Sequence, residues 1–408
     1  MKHHSIRNFS RFTLFLLFGI LVNIPSFSVA KSATQDSQPK AEVNSQAQWK
    51  KKMQSLYQSL TELLTDVSSD QRYYDSKNSS RIEREIKTIS ALSHELNMNS
   101  KDAFQADPSL QIFSGLLAGE TTEAYSSFRA GHKVYARDIM RSIPTNCLAC
   151  HSRNATGPNF SSLPLEPNAP LKPLEQAEFF AATRQFDRAV ELFQKVIRGK
   201  LKPKSESYDL EKATHDALLI AVRIKHDSSL AKSIAQSVID NPDSPQFLTD
   251  DAVHWKKSTE DWVSEGAREI KTEEGMHAEA LRLIAHARAN QSYAIDHSED
   301  ITYLRASAVL FDLIQLAPNG KYLSDALLLL GMCYEVINPR RMEDLHNIYY
   351  EACIQHSPHT EIARTCYRRY EQSIYAGFTG SSGTHLPEDI KQKLLELWSL
   401  AMKIKGDL

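Results

Sequence analysis

Two cysteines and a histidine stand together as Cys147-Leu148-Ala149-Cys150-His151. This C-x-x-C-H spacing is the attachment signature of a c-type haem. On one helical turn, each thiol can form a thioether bond to one vinyl group of the porphyrin, and the adjacent imidazole reaches the iron. The motif therefore predicts one covalent haem c, bound through Cys147 and Cys150, with His151 as the proximal iron ligand.

The same five residues have other interpretations. A C-x-x-C pair can be a thioredoxin-like redox centre, but that requires a strand followed by a helix, whereas both flanks here look helical. It can be half of a zinc site, but no second C-x-x-C or paired histidine cluster completes four ligands. A structural disulfide is the third alternative.

Residues 1–30 have the pattern of a secretory signal peptide. Positive charges precede an apolar run from Phe12 to Ile24, and Ser28-Val29-Ala30 offers small residues for cleavage. Such a run is shorter than the roughly 20 residues that span a bilayer, so we expect no stable membrane span after cleavage. An uncleaved anchor is the alternative. The prediction is a periplasmic or otherwise exported bacterial protein, in a compartment where haem c is assembled.

Composition indicates a globular all-α protein. Hydrophobic residues make up 41% of the chain and charged residues 24%, and there are only 14 glycines. Removing the three positive charges of residues 1–30 takes the formal net charge from −2 to −5. This balance argues against nucleic acid as a partner.

Four amphipathic helices are predicted before the end of the haem motif. After a polar, flexible lead at 31–46, apolar residues recur at three- and four-residue spacing. The predicted helices span about 47–68, 79–97, 108–131 and 132–151. Asp107-Pro108 marks the start of the third helix, and Pro144 predicts a bend in the fourth. Four such helices with short loops form a bundle, over residues 47–153, and bundle cores commonly house haem.

This arrangement resembles the class II cytochromes c, the cytochrome c′ type, in which one haem motif ends the last helix of a four-helix unit. The matching stretches are MQSLYQSLTELL, ISALSHEL, DPSLQIFSGLL and ARDIMRSIPTNCLACHSR. The resemblance covers about residues 47–200, and the haem motif is its one specific feature. It implies electron transfer or haem-ligand chemistry, and a homodimer, since dimers are common in that class.

The resemblance also bears on the distal iron ligand. Met53 lies where six-coordinate members of the class place a methionine, and a thioether ligand suits electron transfer by raising the reduction potential. A methionine on an apolar stripe is otherwise an ordinary core residue. His94 and an open distal position are the alternatives. His94 lies away from the Ile82, Ile86 and Ile89 stripe, so it would flank the haem rather than face it.

Four cations surround the motif with only Asp138 as a counter-charge in the same stretch. They are Lys133, Arg137, Arg141 and Arg153. They either pair with haem propionates or an acidic redox partner, or form an ordinary solvated helix face.

The rest of the chain is predicted to be a second helical module. Five prolines at 154–173 indicate an extended linker. Beyond it, residues 174–408 carry weak helical periodicity, with Ala177, Phe180, Ala189 and Phe193 at the small and bulky positions of a tetratricopeptide-like hairpin. Later helices are expected to end near Pro242, Pro318 and Pro358. We interpret this module as a degenerate α-solenoid that binds a partner.

Three further cysteines lie in this module. Cys333, Cys353 and Cys366 leave one thiol unpaired after any disulfide. Cys353–Cys366 and Cys333–Cys353 are the candidate bridges in an oxidising compartment, and three buried free thiols are the alternative.

The sequence as a whole predicts an exported monohaem c-type cytochrome that transfers single electrons between partners, with the helical-repeat module docking a redox partner protein. A haem-based gas or redox sensor with an open distal site is the alternative, and a scaffold with an accessory haem is a third. No acid–base pair lies near the motif in sequence, so we expect an electron carrier rather than an enzyme, with peroxidase-like activity left open.

Overall fold

A computed structural model of the chain describes residues 40–99, 107–153, 171–199, 206–266, 270–294, 296–337 and 345–402, with side chains from residue 48 onward. Within these ranges the protein is all-α, as predicted. The strands among the described residues are the two-residue pair β1 (Thr379–Gly380) and β2 (Gly383–Thr384), antiparallel, with Thr379 opposite Thr384. The predicted signal peptide lies outside the described residues.

Five helices lead up to the haem motif. They are α1 (Lys40–Val67), α2 (Asp70–Tyr74), α3 (Ser76–Met98), α4 (Pro108–Arg129) and α5 (Lys133–His151).

Eleven further helices follow in the described ranges. They are α6 (Pro173–Ala182), α7 (Phe186–Ile197), α8 (Ser207–Leu219), α9 (Ser228–Ile239), α10 (Gln246–Glu265), α11 (Glu273–Asn290), α12 (Asp300–Leu316), α13 (Leu323–Tyr334), α14 (Leu345–His356), α15 (Glu361–Gly377) and α16 (Glu388–Met402). A π-helical turn at Ile220–Ile224 continues α8, and a 3₁₀ turn at His297–Glu299 precedes α12. None of the helices in these ranges has both the length and the apolar character that crossing a membrane requires.

The helix boundaries follow local signals. Asp107 caps α4 by accepting a hydrogen bond from the Ser109 backbone N–H, with Pro108 at the first helical position, as the sequence predicts. The chain leaves α4 through Gly131, whose φ of 87° is readily adopted by glycine. α5 runs through Pro144 to the end of the motif.

The structure differs from the prediction at the start of α1 and in having the additional short helix α2. α1 begins at Lys40, so it includes the last seven residues of the predicted lead, which are mostly good helix formers. α2 was not predicted because its single turn is too short to show periodicity; Ser69 caps it by accepting a hydrogen bond from the Arg72 backbone N–H.

One continuous core connects the described helices from Asn44 onward, and residues Asn44–Leu408 form one compact unit. Most consecutive helices pack on each other, and α4 also packs against α14, more than 200 residues later. Residues 154–170, most of the predicted linker, lie outside the described residues. The division into a haem bundle and a repeat module stays a prediction.

The predicted hairpin positions Ala177, Phe180, Ala189 and Phe193 are all buried. Helices α9, α12 and α14 end two or three residues before Pro242, Pro318 and Pro358. In α13, the Gly331 backbone lies so close to Tyr350 of α14 that a Cβ atom would stand 2.2 Å from the ring. These features agree with packed helical hairpins, while their assignment to a repeat class remains a prediction.

Cys353 of α14 and Cys366 of α15 form a disulfide, which is one of the two candidate bridges. Cys333 of α13 is a buried free thiol.

Candidate haem site

The last turns of α5 bring the motif to the wall of a cavity of about 330 Å³. Cys147, Cys150 and His151 all line it, because positions three and four apart share one face of a helix. Most of the other lining side chains are apolar, with a few polar groups among them. The volume and the lining fall in the range of cofactor sites in proteins.

The imidazole of His151 has a fixed orientation. Its Nδ1 lies 2.5 Å from the backbone carbonyl oxygen of Ala182, at the end of α6. A carbonyl can only accept, so Nδ1 carries the proton and Nε2 holds the lone pair of the neutral ring. Burial lowers the pKa of His151 to about 4, a shift that the nearby charge of Arg184 increases and the hydrogen bond to Ala182 opposes. The ring is therefore neutral at physiological pH, as a metal ligand must be.

The two cysteines are protonated thiols. Burial raises the pKa of Cys147 to about 12 and that of Cys150 to about 11. A thioredoxin-like pair instead depends on a thiol with a lowered pKa, because the thiolate is the attacking species. This electrostatic environment disfavours the redox-pair interpretation of the motif.

Met53 lines the same cavity, from α1. Its side chain is half-buried and packs against the core, and Trp49 lies one turn earlier on the same face. The structure thus brings the favoured distal candidate and the proximal motif to one cavity. Trp49 was not singled out from the sequence, although its spacing of four residues from Met53 is a signal that could have identified it.

His94 lies elsewhere. It is exposed on α3, and its Nε2 is 2.9 Å from the Thr122 hydroxyl oxygen of α4. It is not among the side chains that line the cavity. Two other methionines near the motif, Met98 and Met140, do not line the cavity: Met98 is 81% exposed and Met140 is fully buried elsewhere.

Arg153, two residues after the motif, also lines the cavity and is almost fully buried. It forms an ion pair with Asp107, the residue that caps α4. Its guanidinium carbon lies 4.7 Å from the ring centre of Phe113, 5.3 Å from that of Phe311 and 5.5 Å from that of Tyr349. A desolvated cation enclosed by aromatic rings and one carboxylate is held firmly in place.

The other three cations near the motif have partners within the protein. Lys133 lies 3.0 Å above the ring of Phe128, Arg137 pairs with Asp70, and Arg141 pairs with Glu175 at 2.5 Å. They do not line the cavity.

Residues far along the chain complete the cavity. α12 contributes Phe311, Ile314 and Gln315 to its wall, and α6 supplies the carbonyl that orients His151. Sequence reasoning missed these residues. A backbone carbonyl has no side-chain signature, and contacts between residues this far apart leave no local pattern.

The residues that line the cavity suit a covalently attached haem. Two protonated thiols stand at the required spacing, a neutral imidazole presents Nε2, and the remaining walls are largely apolar. Among the described residues, no group of three or more histidine, cysteine or acidic side chains is arranged to hold a metal ion by itself.

Comparisons of the chain with protein-family models, with curated protein sequences and with solved structures find no match.

Proposed function

We propose that this chain is an exported monohaem c-type cytochrome that carries single electrons between partner proteins. The observation that carries the proposal is the shared cavity. It is lined by both thiols of the motif, by the imidazole of His151 and by the thioether of Met53. When bound, a haem c supplies reversible one-electron chemistry at its iron.

Each residue has a separate role in this proposal. Cys147 and Cys150 attach the haem through thioether bonds, and His151 is the proximal ligand through Nε2. Met53 is the distal ligand. The largely apolar walls lower the polarity around the haem, which favours the less charged state of the site and thereby helps to set its potential.

The first experiment is to express the mature chain with haem-maturation machinery and record the spectrum of the reduced protein with and without carbon monoxide. We expect a c-type spectrum that carbon monoxide does not change, since Met53 occupies the sixth position. Denaturing gel filtration should leave the haem attached to the polypeptide. A matched chain with Cys147→Ala and Cys150→Ala should lose the covalent haem.

A purified wild-type chain that contains no haem after maturation contradicts the proposal. A noncovalent haem retained equally by the double-cysteine variant also contradicts it, because the motif would then have no role in attachment.

One observation favours a second function. Met53 is only half-buried and the cavity it lines is not fully enclosed, so an exogenous ligand could reach the iron beside it. If the reduced wild-type protein binds carbon monoxide strongly, gas or redox sensing becomes the favoured function in place of electron transfer.

A further inference from the structure

The end of α6, where the His151 imidazole is anchored, is a Schellman motif. The Gln185 backbone N–H donates to the Phe180 carbonyl at 2.8 Å, and the Arg184 N–H donates to the Ala181 carbonyl at 3.1 Å. The residue that reverses the chain in this motif is usually glycine, because its φ is positive. Here it is Arg184, with a φ of 59°.

The hydrogen bonds of this Schellman motif leave one backbone carbonyl of α6 free to accept a hydrogen bond from the candidate haem site. The last four carbonyls of a helix have no partner within the helix. In α6, backbone N–H groups of the turn satisfy those of Phe179, Phe180 and Ala181. The fourth, that of Ala182, accepts the Nδ1–H of His151. The partial negative charge at the C-terminal end of a helix strengthens this bond.

Arg184 also contacts His151 of the C-x-x-C-H motif directly. Its Nη1 donates a hydrogen bond to the backbone carbonyl of His151 at 3.0 Å. The left-handed conformation is unfavourable for a residue with a Cβ atom. Such strain persists where surrounding contacts over-determine it, and it concentrates at functional sites. In this protein the strained residue contacts both the turn and the proximal histidine.

We propose that Arg184 is a positioning residue for the haem: the left-handed turn it forms after α6 holds the Ala182 carbonyl against His151 and so sets the reduction potential. The inference rests on the proposed function, because it takes His151 as an iron ligand. An acceptor at Nδ1 makes the imidazole a more basic ligand, which favours oxidised iron and lowers the potential. A turn that follows the predicted linker thereby tunes the redox centre formed by residues that precede it.

The test compares Arg184→Gly with Arg184→Val in the haem-loaded, full-length protein. Both variants lose the guanidinium and its charge. Glycine keeps the left-handed turn, whereas a β-branched residue strongly disfavours it. We expect a more positive reduction potential in the valine variant than in the glycine variant. The difference should reach up to a tenfold change in the reduced-to-oxidised ratio, about 59 mV for one electron.

His359 offers a matched control, since it is left-handed, with a φ of 64°, and does not line the cavity. His359→Gly and His359→Val should differ in thermal stability but share one reduction potential. Arg184→Ala is a milder second variant that disfavours the turn less than valine does. Its potential should lie between those of the other two.

A readout without haem uses the apoprotein. The Nδ1 proton of His151 should be protected from solvent exchange in Arg184→Gly and lose that protection in Arg184→Val, as followed by NMR. Equal potentials across the three Arg184 variants, in a protein that carries covalent haem normally, overturn this inference and leave the proposed function standing. Absence of haem in the wild-type protein overturns both.

Discussion

At the scale of single residues, the site depends on side chains whose neighbours fix their protonation. The spacing of Cys147, Cys150 and His151 could be recognised from the sequence, because the chemistry of attachment requires it. The neutral state of His151 could not be predicted, since it follows from burial and from a carbonyl 31 residues away. Met53 and His94 were both candidates in the sequence, and the structure places only Met53 at the cavity.

Met53→Leu tests the distal role, with Met140→Leu as the control. Both changes roughly conserve volume, but Met140 is fully buried away from the cavity. We expect Met53→Leu to bind carbon monoxide when reduced and to have a more negative potential, because the thioether ligand is lost. Met140→Leu should match the wild type in both measurements. Identical carbon monoxide titrations for the two variants would exclude Met53 as the ligand.

A second residue-level prediction concerns His297, remote from the motif in sequence. The buried carboxylate of Asp300, 3.2 Å from Nδ1, raises the pKa of His297 to about 9. The folded protein therefore holds this proton more tightly than the unfolded chain, whose histidine pKa is about 6.5. The stabilisation is complete below pH 6.5 and is lost as the pH rises through 9.

We expect His297→Gln to remove roughly 2 kcal/mol of stability at pH 6, after allowance for the partly exposed ring, and little at pH 9.5. Urea unfolding across this range measures the difference. His286→Gln, at an exposed histidine, should follow the wild-type pH dependence. A constant gap between wild type and His297→Gln at all pH values would show that the Asp300 pairing contributes nothing.

At the scale of helices, sequence signals located most of the elements near the motif. Asp107-Pro108 marked the start of α4, and Gly131 marked its end, because caps and left-handed turns depend on local chemistry. The π-helical turn at Ile220–Ile224 had no such signal. Its residues are all buried, so tertiary packing rather than propensity determines it.

Two glycines within helices should respond oppositely to the same substitution. Gly331→Ala places a methyl group 2.2 Å from the ring of Tyr350, whose hydroxyl donates to Glu335 at 2.5 Å and whose position is therefore restrained. We expect a loss of about 1–3 kcal/mol from overpacking. Gly119→Ala meets no atom within 4 Å and should gain about 0.5–1 kcal/mol.

Thermal or urea unfolding of the two variants measures both changes. If Gly331→Ala is as stable as the wild type, the prediction is wrong, and α13 and α14 can move apart enough to accommodate the methyl group.

At the scale of the whole molecule, one aromatic cluster joins residues from both sides of the predicted linker. Arg153, just after α5, donates through Nη2 to the Tyr349 hydroxyl of α14 at 3.3 Å, across 196 residues. Tyr349 also stacks on Tyr334 with ring centres 5.0 Å apart, and lies near Phe113 and Phe311. Hydrophobic periodicity in the sequence predicts which face of each helix is buried. It does not predict which helices pack against each other, because that depends on contacts between distant segments.

Removing the Tyr349 ring should destabilise the helices on both sides of the predicted linker together. Tyr349 is fully buried, so Tyr349→Ala is expected to cost about 3–5 kcal/mol. Tyr349→Phe keeps the ring and loses the bond from Arg153, and should cost at most about 1.5 kcal/mol. Unfolding followed by haem absorbance and by helical circular dichroism should coincide in each variant. Separate transitions in Tyr349→Ala, with the haem signal unchanged, would show that the residues before and after the predicted linker unfold independently.

Under the proposed function, the disulfide between Cys353 and Cys366 places a requirement on biogenesis. Haem attachment would consume Cys147 and Cys150 as reduced thiols, while Cys353 and Cys366 of the same chain are oxidised to a disulfide. Cys353 and Cys366 are only 13 residues apart and lie on adjacent helices, so they can pair early and locally. If the haem is attached as proposed, its maturation system would have to keep Cys147 and Cys150 reduced while leaving the Cys353–Cys366 disulfide oxidised.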